Sequence, residues 1–78
     1  MQSVAQTVGE ILGTVVLVQE NRFRIDTEDG RSMLFVLGKG PGPSLDDLAL
    51  WADEGRKVLV RYRGDPLEGP VAEKVRPI

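Results

Sequence analysis

The sequence predicts a mostly β domain of five strands, with one helix between the third and the fourth. Three observations carry this expectation. Apolar runs rich in β-branched residues or alternating with polar ones recur at residues 10–20, 22–26, 31–37, 57–63 and 71–76. Turn chemistry separates most of these runs, and one stretch alone, residues 45–54, has the caps and the periodicity of a helix. A chain of 78 residues makes one domain. Domains of this size bury only about 60% of the surface their unfolded chain exposes, so the core must be compact. The boundaries expected are a flexible N-terminal segment over residues 1–8 and a single domain over 9–78.

The first run, EILGTVVLVQE, has no proline and is apolar at odd and even positions alike, which suits a long strand covered on much of both sides. Gly13 interrupts it. An isolated glycine in a strand marks a bulge or a bend, and a bent first strand lets one strand serve two sheets. Glu20-Asn21 is a tight turn. RFRID then alternates cleanly, with Phe23 and Ile25 on one face and Arg22, Arg24 and Asp26 on the other. Asp29-Gly30 closes a hairpin, because glycine accepts the positive φ that such turns demand.

The third strand, RSMLFVL, has two apolar phases: Met33, Phe35 and Leu37, or Leu34 and Val36. The phase with Phe35 inward is favoured. Ser44 is the expected N-cap of the helix, with Asp47 completing a capping box and Gly55 ending it. Leu45, Leu48, Ala49 and Ala52 form its apolar stripe, Trp51 lies at the edge, and Leu50 points away. In KVLVRYR, Val58, Val60 and Tyr62 face opposite to Lys57, Leu59, Arg61 and Arg63. GDPLEGP is a turn-rich loop, and VAEKVRPI supplies a short last strand.

Composition removes several kinds of chemistry. With 41% hydrophobic and 28% charged residues, the chain is neither disordered nor fibrous. It contains no cysteine and no histidine, which excludes disulfides, thiolate metal sites and the usual general base. The segment GKGPGPS, with Lys39 between two glycines, is not a P-loop. In that motif the lysine follows the last glycine, whereas here Pro41 and Pro43 delete amide donors that would face a phosphate. Asp26 to Gly30 fails as a calcium loop, since glycine falls one position early and Leu37 stands where the bidentate glutamate belongs. The serines have no histidine to activate them. No enzyme, metal or cofactor is expected. The N-terminus lacks a secretory signal pattern and no run reaches the length of a bilayer span, so a cytoplasmic protein without membrane contact is the expectation.

Strand, strand, strand, helix, strand, strand is also the layout of the OB-fold, a five-stranded, partly open barrel. Asn21-Arg22-Phe23-Arg24-Ile25, Asp29-Gly30, Gly38-Lys39 and the strand Val58 to Tyr62 resemble the smallest bacterial translation initiation factor and RNA-binding domains of ribosomal proteins. The resemblance covers about residues 9–76. It implies a five-stranded OB-fold-like barrel (β-β-β-α-β-β) in which strand one lies between strands two and four. The chain departs from that group in its acidic balance, 10 basic against 12 acidic residues, in its longer helix and in lacking basic tails. The resemblance therefore implies the fold and not the ribosome.

On that fold Asn21, Arg22, Arg24, Arg31, Arg61 and Arg63 edge a strand face suited to single-stranded DNA or RNA, with Phe35 stacking a base if it faces outward. A second expectation is docking of another copy or another protein on the outer side of strand one. Either phase of that strand leaves apolar residues outside: Thr14, Val16 and Val18, or Gly13, Val15 and Leu17.

Overall fold

A computed structural model describes residues 8–38, 42–65 and 67–78. The expectations for the N-terminal segment before Val8, for Lys39 and for Pro41 lie outside the described residues. The elements run in the order β1 (Val8–Gln19), β2 (Arg22–Thr27), β3 (Ser32–Leu37), α1 (Leu45–Glu54), β4 (Lys57–Arg63) and β5 (Val71–Pro77). The strands form one sheet that closes into a ring in the order β1-β2-β3-β5-β4. All pairs are antiparallel except β3 with β5, which are parallel and touch at Val36↔Val71 and Leu37↔Ala72.

β1 serves two partners. Its first half, Val8 to Thr14, pairs with β4, and its second half, Gly13 to Gln19, pairs with β2. The change of partner falls at Gly13, where an added Cβ would lie 2.6 Å from the backbone oxygen of Asp26. No side chain fits there, so glycine lets the two backbones approach at the bend. The bulge itself is three residues further on, between Val15 and Leu17.

That bulge corrects both phases expected for β1. Val15 is buried and Val18 packs against the core, while Val16 and Leu17 stand together on the outside. Neither Thr14-Val16-Val18 nor Gly13-Val15-Leu17 forms an outer stripe, because the extra residue reverses the alternation midway.

Phe23, Ile25, Phe35, Val15, Val58 and Val60 of the strands and Leu48 of α1 are fully buried in one core. Burial of each stabilises the fold by about 1.5–3 kcal/mol before entropy is counted. Phe23 stacks on Phe35 with ring centroids 5.4 Å apart, and Tyr62 tilts against Phe35 at 5.6 Å. The register of the β2–β3 hairpin explains the phase of β3. Phe23 pairs directly with Phe35, and the unambiguous alternation of β2 then carries Phe35 inward with it.

Ser44 caps α1: its hydroxyl accepts from the Asp47 N–H at 3.1 Å, while the Asp47 carboxylate accepts from the Ser44 N–H at 3.2 Å. Gly55 closes the helix at φ 64°. The buried stripe is narrower than the sequence predicts and rotated toward Trp51. Leu48 is fully buried and Trp51 and Ala52 pack beside it, whereas Leu45, Ala49 and Leu50 are exposed. Ten residues laid against the ring can bury one row at spacing three and four, and Leu48, Trp51 and Ala52 are that row.

Candidate functional site

The predicted site residues do not fall in one place. Arg22 and Arg24 project outward from β2 beside Gln19 and Leu17 of β1, and beside Val36 and Leu34 of β3. Arg61 and Arg63 lie on β4, where they pair with Glu10 and Val8 at the other end of β1. Glu10 and Leu17 are seven steps apart along β1, roughly 20 Å of strand with the Gly13 bend between them. β1 does lie between β2 and β4, and its bend carries Arg61 away from β2, whereas Arg63 returns toward Arg22 on the other side of the ring, along the register row Arg22, Val36, Val71 and Arg63.

Arg31 is separated as well. It ends the β2–β3 turn, where its guanidinium donates to Asp29 at 3.0 Å. The Thr27 hydroxyl accepts from the Arg31 N–H at 3.0 Å and donates to the Asp29 carboxylate. Bonds from Thr27 first and Arg31 second hold the Asp29 carboxyl below the usual carboxylate range. Gly30, at φ 89°, supplies the left-handed residue of this turn. Arg31 thus carries an ion pair with Asp29 while its side chain stays exposed.

Phe35 leaves the site altogether. With no exposed surface it cannot stack a base, and its partners Phe23 and Tyr62 explain why it turns inward.

At the opposite end of the hairpin a groove of about 580 Å³ opens between the β1–β2 turn, the end of β3 and the β4–β5 junction. Asn21, Val36, Leu37, Gly38, Arg63 and Val71 line it. Backbone hydrogen bonds from Leu37 N–H to Asn21 O at 2.7 Å and from Val36 N–H to Pro70 O at 3.0 Å hold its walls together. Arg63 is tied to Glu73 at 3.2 Å. Glu20, beside Asn21 in the turn, adopts φ 54°, a conformation few non-glycine residues take.

Arg22 and Arg24 have no carboxylate within 4.0 Å among the described residues. Around them the surface is aliphatic: Leu34 is 46% exposed, Leu17 41% and Val16 40%. Among the described residues no three His, Cys, Asp or Glu side chains form a metal-holding group. Also among them, no helix is long and apolar enough to cross a membrane.

The sequence reading missed Val36, Leu37 and Val71 as groove residues and Glu73 as the partner of Arg63. The groove exists only where three chain segments meet, and no local pattern signals that. In comparison with known proteins, no family model, no curated protein and no solved structure gives a significant match.

Proposed function

We propose that this chain is a non-enzymatic OB-fold-like barrel that binds a short single-stranded nucleic acid. The strand order β1-β2-β3-β5-β4, the split pairing of β1 and the helix between β3 and β4 support the fold reading. The groove between the β1–β2 turn and the β4–β5 junction carries the functional reading. OB-folds bind oligonucleotides at the face of strands two and three and the loops after strands one and four, and this groove lies there beside Arg22 and Arg24.

In this reading Arg22 and Arg24 contact phosphates, Asn21 and Arg63 contact the strand at the groove, and Leu34, Val36 and Leu17 support sugars and bases. Without an aromatic side chain on this face, the roughly 1–3 kcal/mol per base that stacking contributes elsewhere is missing. Binding is therefore weak and dominated by charge, and it falls steeply with salt.

The test is an amide chemical-shift titration with short single-stranded DNA and RNA at low and then moderate salt. Shifts grouped on residues 21–24, 34–38 and 63–71, lost in Arg24→Glu, are expected. Unchanged binding by Arg24→Glu would sink this reading.

The exposed Leu17 and Leu34 beside Arg24 favour a second reading, docking of a protein partner or a second copy on this face. Sedimentation across a wide concentration range separates the two. A monomer throughout removes the self-association form.

A further inference from the structure

A second concavity lies away from the strand face. β5 pairs with β3 only as far as Leu37↔Ala72, so its residues from Glu73 onward have a strand neighbour on one side alone, β4. On the other side α1, with Gly42 and Pro43 before it, forms a wall, and a groove of about 340 Å³ remains between them. Pro43, Asp47 and Trp51 lie on the helix side of this groove, and Lys74 and Arg76 on the strand side.

The chemistry of the two sides differs. Trp51 is half-buried, packing on the core while still lining the groove. It is the only tryptophan of the chain. Asp47 uses Oδ2 in the capping box, and its Oδ1 accepts no hydrogen bond among the described residues. Across the groove, Lys74 and Arg76 are both exposed and have no carboxylate within 4.0 Å among the described residues. They stand two residues apart on one face of β5, roughly 7 Å along the strand.

Behind them, Arg61 pairs with Lys74 across β4 and β5, and a smaller hollow of about 260 Å³ joins Arg61, Lys74 and Arg76 to Glu10 and Leu59. In this hollow three cations thus face one carboxylate, Glu10. At the groove, an aromatic side chain and a free acceptor oxygen sit opposite two unpaired cations.

We infer that the groove between α1 and β5 recognises a nucleotide group, with the base against Trp51 and the phosphate on Lys74 and Arg76. Asp47 orients the ligand. Its carboxylate repels phosphate and accepts from an exocyclic amino group, so the base goes to the helix side and the charge to the strand side. Grooves of a few hundred Å³ hold small ligands of this kind. The inference stands independently of the strand-face reading, because none of the groove residues belongs to β2 or β3. A free nucleotide and one residue of a single strand present the same chemistry.

Trp51 emission reads the test directly. The intact protein is titrated at low salt with ATP, with adenosine, with inorganic phosphate and with a short oligodeoxyadenylate. The expected result is quenching by ATP or the oligonucleotide that weakens at least tenfold in Lys74→Glu and in Arg76→Glu. Both variants lie on an exposed face and should keep the fold, which a thermal melt verifies. Quenching by both ligands, or by ATP alone, assigns a free nucleotide; quenching by the oligonucleotide alone assigns a strand. No quenching by either ligand, or equal quenching by wild type and both variants, overturns the inference. So does amide-shift binding of inorganic phosphate as tight as that of ATP, which would make this a simple anion site. Arg24→Glu should leave the quenching intact while removing binding on the strand face, so the two readings fail separately.

Discussion

At one end of the β2–β3 hairpin, the Thr27–Arg31 turn is tied by the Thr27 hydroxyl, the Asp29 carboxylate and the Arg31 guanidinium, and Lys57 of β4 is bonded to Glu28 beside it. At the other end, the β1–β2 turn holds Glu20 at φ 54°, the β4–β5 loop carries Gly64 at φ 110° and Gly69 at φ 74°, and a groove opens between them. Both ends join strands of one continuous ring. The first satisfies its own polar groups internally, while the second leaves Arg22 and Asn21 turned to solvent beside an apolar hollow. Polar groups already bonded to neighbours have little left for a ligand, so the open end is where the proposed binding is placed.

Substitutions at each end break this contrast in different ways. Thr27→Val has the largest expected effect, because it leaves the part-buried Arg31 N–H without its acceptor and releases Asp29. It should lower stability by about 1–3 kcal/mol in urea unfolding, with no change in ligand binding. Charge reversal separates the ends by function. Arg22→Glu should weaken binding of a short single strand at low salt by about tenfold, close to 1.4 kcal/mol, whereas Arg31→Glu should leave it within twofold. Equal losses from both would mean that overall charge, not the open end, drives binding.

Glu20→Gly sharpens the contrast in the opposite direction. Relief of the left-handed backbone, less the entropy that glycine adds to the unfolded chain, should raise stability by about 0.5–1 kcal/mol on the same unfolding curve. A loss of stability would show that the Glu20 side chain holds the turn by a contact stronger than the strain.

The smallest effect is in acid. Asp29 has its carboxyl lowered in the folded protein, so its contribution is complete above the unfolded value, about pH 4, and fades as pH falls through the lower folded value. Asp29→Asn should flatten the dependence of melting temperature on pH below about pH 4 and leave its shape unchanged near neutrality.

Much of the architecture is legible in single residues. Ser44, Asp47 and Gly55 mark α1 to the residue, Gly30 marks the hairpin, and Phe23 with Ile25 sets the inner face of β2. Gly13 signals the bend of β1 but not the bulge, since Val16 is as good a strand residue as its neighbours and nothing local makes it the extra one. Arg22 and Arg24 are read correctly as outward. Their distance from Arg61 is not legible, because it depends on which half of β1 each partner strand meets.

Turns, caps and the alternation of β2 follow from local chemistry: a hydroxyl that bonds the nearest free N–H, a glycine that accepts positive φ, a side chain that alternates every second residue. These act over a few residues and need no partner. Phe35 turns inward by its pairing with Phe23 in the hairpin, while the reversal of alternation at Val16 and both grooves come only with closure of the ring. There the choice rests on which side chains across several strands can share one interior, and that volume does not exist until β1 has met β2 on one side of Gly13 and β4 on the other.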